Sequence, residues 1–423
     1  MLNNRTLLVL LLLAAGVVSA TAQKSAYGRF GYGELAAPAF SAGKAMGGVG
    51  YGIRDSKSIN PLNPASYSSV DSLSFLFDIG AYINTAWYED GVNRATTFEG
   101  NIDYLGLQFR LFKGMGLSVG MVPFSNVSYS WSQPVGGDGV AGTEKYTGTG
   151  GINRLYLGLG YNLFKNFSLG ANASYFFGKT DYETTQSLGG GASGNYSLQR
   201  LRISSMLVDL GVQYTIPLKA NHEITLGASY TPKMKLNGSY HNLHQIGSMP
   251  PHKDTTITSL GFDYPQSIGG GISYAKKRKY MIAADVLYQQ WDDARFFDGE
   301  PGEDWNGSGS VLQDRYRFAL GGQYIPNATG RGYLGKIRYR MGTHYSNSYF
   351  KIREDGMDPA GTKEFGLSAG FGFPLLDNRS SLNLTFDYIS VLPDRKDFVK
   401  EQYFRISISY TMNEMWFIKR KID

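Results

Sequence analysis

Cysteine is missing from all 423 residues. That removes disulfides, thiolate metal sites and cysteine nucleophiles, so a chain of this size must hold itself together by other means. Long apolar runs are nearly missing too. The longest, Leu7 to Val18, sits behind Arg5 and ahead of Ala20-Thr21-Ala22, a small-x-small cleavage pattern. It is too short to span a bilayer and reads as the core of a secretory signal peptide over residues 1–22. Gln23 rather than Cys follows, so no acyl anchor is expected there. No other run reaches the roughly 20 apolar residues of a membrane helix. Charge of one sign is scarce as well: 41 Lys and Arg against 35 Asp and Glu leave a formal +6. No basic block is long enough to track a phosphate backbone, so nucleic acid is not an expected partner. Nucleophile motifs are lacking, and "GGVGYG" has no βαβ unit around it to make a nucleotide loop. Neither an enzyme nor a cofactor is expected.

What the chain has in quantity is Gly (54), Tyr (30) and Phe (24), which suits many strands with aromatic belts. From Leu73 onward apolar and polar residues alternate. In "YFRISISYTM", Phe404, Ile406, Ile408, Tyr410 and Met412 share one face, while Arg405, Ser407, Ser409 and Thr411 share the other. Leu155, Leu157, Leu159, Tyr161 and Leu163 do the same in "RLYLGLGYNL". Period two with one apolar face is a half-buried strand. About fourteen such segments follow one another, each long enough for the roughly 9–11 residues of a tilted membrane-crossing strand. Short links such as "FKGMG" and "LDNRS" alternate with long ones, among them 132–145, 241–254 and 292–310. Short periplasmic turns against longer outer loops are the habit of an outer-membrane barrel. A large soluble sandwich would also alternate. Its dry core, however, would have to take the Arg, Lys, Asp and Gln found on the second face. The expected fold is therefore all-β: a transmembrane antiparallel barrel of about fourteen strands over residues 72–417, with 418–423 as a periplasmic tail.

Residues 23–71 do not alternate. "AMGGVGYGIRDSKSINPLNPASYSS" is rich in Gly, Ser, Asn and Pro, and each Pro biases its predecessor away from helix. Such a stretch is either a disordered tail or a plug folded into the lumen; its Tyr, Phe and Met content and lack of charge blocks favour the plug. It resembles the N-terminal hatch of the FadL family of outer-membrane transporters, whose Gly-x-Gly segment precedes an Asn-Pro-Ala matched here by Asn63, Pro64 and Ala65. "SYTPKMKLNG", "YPQSIGGGISYAKKRKYMIAADVLYQQWDD" and "RYRMGTHYSNS" are similar to later strands of that family, in its order. The resemblance implies a hatch-filled barrel that passes long-chain fatty acids or other hydrophobic molecules. Exit would be sideways, through a kink in the third strand. Here that strand carries Pro123, with Val122 and Phe124 as the expected lining of a lateral gate; an ordinary bulge at Pro123 is the alternative. The outer loop around "SLGGGASGNYS" is shorter and richer in Gly than in fatty-acid transporters. That leaves a second expectation open, a barrel that docks a protein partner in an outer-membrane secretion or assembly complex. A general aqueous porin is a third.

By strand parity Arg315 and Arg317 face the lumen, as do Lys336, Arg338 and Arg340 on the next strand. A cationic wall of this kind holds a ligand carboxylate, or else pairs with acids such as Glu34, Asp55 or Asp71. The expected partners are membrane lipid, a small hydrophobic ligand with fatty acids among the candidates, and an outer-membrane protein. His241, His244 and His252 share one outer loop but lack a carboxylate framework, and the acidic loops "DDARFFDGEPGEDW" and "REDGMD" read as solvated, so no metal site is expected.

Overall fold

Leu157 is 52% exposed and its neighbour Tyr156 is 1% exposed. Ser407, Ser409 and Thr411 are buried, while Phe404 and Ile408 are exposed. The alternation is real, but its sense is inverted relative to a soluble core: apolar groups face out and polar groups face in. This is the membrane-barrel arrangement.

A computed structural model describes residues 25–415 apart from 37–38, 138–139, 190–193, 248–252, 258–260, 297–309, 354–356 and 378. The expected signal peptide and the periplasmic tail lie outside the described residues. Among those described, fourteen antiparallel strands close on themselves. They are β1 (Ser74–Glu89), β2 (Arg94–Phe112), β3 (Met115–Gly137), β4 (Val140–Phe164), β5 (Phe167–Leu188) and β6 (Asn195–Pro217). Next comes β7, in three pieces (His222–Thr231, Met234–Leu236, Gly238–Ile246), and then β8, also in three (Lys253–Ile257, Phe262–Tyr264, Gln266–Lys276). The rest are β9 (Tyr280–Gln290), β10 (Arg315–Tyr324), β11 (Arg338–Asn347), β12 (Thr362–Pro374), β13 (Ser381–Pro393) and β14 (Lys400–Met415). Closure is the pairing of β1 with β14, from Ser74 opposite Met415 to Glu89 opposite Lys400.

Two expected outer loops turn out to be strand. Residues 132–145 continue the β3–β4 hairpin up to Gly137 and from Val140. Trp131 stacks on Tyr146 with ring centroids 4.2 Å apart, and Gln133 donates to Glu144 across the pair. Residues 241–246 belong to the last piece of β7, paired with the outer end of β6. As a result β3, β4, β5 and β6 run to 23, 25, 22 and 23 residues. That is about twice what a crossing needs, so this side of the barrel stands as a raised wall.

Residues 25–70, apart from 37–38, lie inside the barrel as a plug, and residues 71–73 lead out to the first strand. The plug comprises a short turn of helix at Ala26–Arg29, a two-residue strand at Glu34–Leu35, a turn at Ser41–Lys44 and another at Pro64–Ser69. The plug runs the length of the lumen. Ser25 donates to Glu401 at the outer end of β14, and Tyr67 packs against the inner ends of β3 to β5. Glycine on the wall makes room for it: a Cβ on Gly227 would sit 1.8 Å from the carbonyl oxygen of Tyr51, and one on Gly116 would sit 2.0 Å from that of Tyr67.

Candidate functional site

The β2–β3 ladder runs from Phe112 opposite Met115 to Leu105 opposite Met121, and there it stops. Above this point β2 pairs only with β1. β3 continues on β4, and its other edge is taken by the plug strand, Glu34 opposite Asn126 and Leu35 opposite Ser125. The break coincides with the proline. Register on β4 shifts between Pro123 and Ser125, leaving Phe124 as the extra residue, since a residue with no N–H cannot extend a ladder. Seven residues of β2 separate Leu105 from the inner hairpin. At about 3.4 Å each on a strand tilted about 40°, the break opens roughly 18 Å up, in the outer half of the apolar band.

The rim of this break differs from the sequence-based expectation. Val122 is buried beside Tyr104 and Tyr156. Phe124 turns into the lumen, 4.9 Å from the Phe176 ring and 5.7 Å from that of Tyr264. The apolar groups on the outward rim are Ile102, Leu105 and Met121, all exposed. Val122 and Phe124 share the parity of the buried Gly116, Ser118 and Gly120, so the alternation itself turns them inward; the bulge reverses the sense only from Ser125 on, where Ser125, Val127 and Tyr129 are buried.

Behind the break lies a cavity of about 860 Å³ that reaches Ile102, Leu105, Met121 and Pro123 at one end. Its lining is mixed: apolar groups cover more of it than polar ones, but charged side chains are numerous. Glu34, Glu99, Asp103, Asp285 and Glu364 contribute carboxylates, and Lys44, Lys179, Arg315, Arg317 and Arg405 contribute cations. Much of this charge is engaged. Lys44 bonds Asp103, and Asp285 accepts from Gly50 N (2.6 Å) and Tyr51 N (2.9 Å) of the plug. Arg317 donates to Gly47 O at 2.8 Å, Arg315 to Ser346 and Gln289, and His344 meets Glu364 at 2.9 Å.

The five basic residues singled out by parity therefore do not form one wall. Arg315 and Arg317 line the cavity. Arg340 is buried lower down and donates to Gln323 and Asn383, at 2.8 Å each. Arg338 is half-buried at the foot of β11, and Lys336 belongs to the turn Leu334–Lys336 ahead of that strand. Of the acids named as their partners, Asp71 accepts from Ser56 and Asp55 from Lys57 N, while Glu34 lines the cavity with Arg315 and Arg317. His241 and His244 sit on β7, and His252 lies outside the described residues.

Asn63, Pro64 and Ala65 form an anchor. Asn63 is completely buried. Its Oδ1 accepts from Ala65 N, capping the Pro64–Ser69 turn, where proline suits the first turn because its missing N–H would be unpaired anyway. Its Nδ2 donates to Tyr51 O (2.9 Å) and also to Val212 O and Ala228 O of the wall. Arg54 fastens the same turn, through Ala65 O and Ser68, to Gln213 and Asn162.

The outer half of the lumen holds something the alternation did not reveal. Tyr32 of the plug, Trp291, Tyr349, Phe350, Phe262 and Tyr264 form one buried aromatic core. Trp291 lies 4.7 Å from Tyr349. The Tyr349 hydroxyl donates to Gly33 O at 2.7 Å, and that of Tyr32 to Asp263 O. Trp291 and Tyr349 follow the ends of β9 and β11, just outside the periodic runs; aromatic residues clustered at outer strand ends were the only sequence signal.

The same fold occurs in solved structures. A FadL homologue of Pseudomonas aeruginosa superposes with a TM-score of 0.57 at 14% identity, over 90% of this chain and 99% of the other. The toluene transporter TodX of P. putida gives 0.56 at 14%, over 90% and 100%. The toluene transporter TbuX of Ralstonia pickettii gives 0.55 at 14%, over 89% and 98%. At such identity the likeness is one of fold, an outer-membrane fold. Among curated proteins no sequence matches. A family model described as BamG matches residues 1–423.

Proposed function

The chain belongs to the BamG family, and from that premise we propose that it is an outer-membrane barrel that binds a protein partner, as a subunit of the machinery that assembles outer-membrane proteins. The family's name points to that machinery. One observation carries the reading: β3 to β6 rise as a continuous paired wall to about twice the height the membrane requires. A partner at the membrane surface can seat on a wall of that height. The aromatic core agrees, because Trp291, Tyr32 and Tyr349 fill the outer lumen where a channel from outside would have its entrance. The test is purification from native membranes in a mild detergent. A stoichiometric protein partner should come with the barrel, and depleting the barrel should lower the amounts of other outer-membrane barrels. A barrel recovered alone, with unchanged neighbours after depletion, overturns this reading.

A second reading is favoured by the break beside Pro123: uptake of a small hydrophobic compound with lateral exit into lipid. TbuX and TodX are described as toluene transporters, and the rim of Ile102, Leu105 and Met121 suits an apolar cargo. The charged side chains of the cavity behind the rim suit it less, although apolar groups cover more of the lining. Loss of labelled toluene uptake on deletion, restored by the wild-type chain, supports this reading; unchanged uptake ends it.

A further inference from the structure

The turns at the short-link end of the barrel are unevenly charged. Those between β2 and β3 and between β4 and β5 carry one lysine each, Lys113 and Lys165. From β6 to β11 the cations crowd together. Lys219 lies in the β6–β7 turn, Lys276, Lys277, Arg278 and Lys279 make the β8–β9 turn, and Arg331 lies in the link before β11. These turns are joined: Lys277 N donates to Asn221 O at 3.0 Å, and Ile325 N to Lys279 O at 2.7 Å. All of these cations but the half-buried Lys276 are exposed. Glu223 pairs with Lys277 at 3.1 Å. Lys219, Lys276, Arg278, Lys279 and Arg331 meet no acid among the described residues. Arg278 has a φ of 60°, a left-handed conformation that Gly or Asn adopts at less cost. The turn thus keeps a cation at its tip in spite of the strain.

The level of this basic rim identifies what it meets. On the outside of this sector the exposed Leu226, Ile272, Ile282 and Leu320 give way to the exposed Tyr214 and Tyr324, and Tyr274 and Tyr280 flank the β8–β9 turn. Tyrosines at the end of an apolar band mark the membrane interface. Side chains just past them lie at the depth of the lipid phosphates, which long basic side chains reach. We propose that these joined turns bind the head of an anionic phospholipid in the leaflet they face. Unpaired cations at this density favour a head of net negative charge. A zwitterionic head sets its own ammonium against its phosphate and gains less. The site goes beyond both functional readings above and holds under either, because it uses neither the raised wall nor the break.

Lipid titration of the purified, delipidated full-length barrel, followed by native mass spectrometry, tests it. The two probes are phosphatidylglycerol and phosphatidylcholine with identical acyl chains, so that they differ only in the head. The first should bind about ten-fold more tightly than the second. Arg278→Gln combined with Lys279→Gln should remove most of that preference. Lys113→Gln combined with Lys165→Gln takes the same charge from the other sector and should leave the preference as it is. Heat-modifiable gel mobility shows that each variant has folded. Equal affinity of the wild-type barrel for the two lipids overturns the proposal and leaves the rim to an acidic protein surface. A preference that survives the first pair of substitutions also overturns it, as does one that the second pair lowers just as far.

Discussion

Asn63 shows how a motif can be legible while its meaning is not. The Asn-Pro-Ala string stood out in the sequence as a hatch signature, and its place inside the barrel could be expected. Its partners could not, because Val212 and Ala228 lie 149 and 165 positions away. Replacing Asn63 with Ala leaves the carbonyls of Tyr51, Val212 and Ala228 without this donor and uncaps the Pro64–Ser69 turn. The expected loss is about 1–3 kcal/mol, felt by the plug and not by the ladders. With no native cysteine to interfere, Ala65→Cys reports it directly. A bulky thiol reagent should label that cysteine slowly in the folded barrel, and clearly faster once Asn63→Ala is added. Equal rates would mean that the anchor does not hold the plug. Gly227→Ala puts a Cβ 1.8 Å from Tyr51 O and should cost about 1–3 kcal/mol through overpacking, seen as an earlier loss of heat-resistant gel mobility.

At the scale of the element, the strands differ in how plainly they announce themselves. Leu155, Leu157 and Leu159 fix the face of β4 without ambiguity. Its outer end, "VAGTEK" (140–145), reads as loop. It is strand because the cross-strand partners Trp131 and Tyr146 hold it, and one segment does not reveal its partner. The bulge at Pro123 was foreseeable from proline's missing N–H, and parity with Ser118 and Gly120 already turned Val122 and Phe124 inward; that Ile102 and Leu105 of the facing strand would complete the rim with Met121 was not foreseeable, because one strand does not reveal where its ladder ends. Where the β2–β3 seam ends can be measured with cysteine pairs. Leu105→Cys with Met121→Cys joins direct antiparallel partners, whose Cα spacing of about 4.5–5.5 Å suits a disulfide; this pair should oxidise readily. Asn101→Cys with Ser125→Cys, which would be partners if the seam continued, should not. Pro123→Val restores a donor, yet Glu34 and Leu35 already occupy that edge of β3. The substitution alone should therefore leave the second cysteine pair open and the barrel at least as heat-stable as before. Oxidation of both pairs in the parent chain would show a closed wall.

For the whole molecule, the even strand count and the alternation of link lengths predict which end faces out. The 90–93 link, where Val92 is 91% exposed, belongs to the outer surface. The 375–380 link, where Leu376 is fully exposed, belongs to the periplasmic side. An epitope inserted after Val92 should be stained on intact cells, and one inserted after Leu376 only after permeabilisation; the reverse pattern would invert the barrel. One contact also bears on how such a molecule comes into being. Ser25, at the start of the described chain, bonds Glu401 on the last strand. The portion exported first thus finds part of its berth only when the final strand arrives. A plug this long, tied to β6, β7 and β14 by side chains that reach inward, has to be in place as the β1–β14 seam zips shut around it. Biogenesis of this barrel is then a matter of wrapping rather than filling, and any delay in settling the plug becomes a delay in closing the wall.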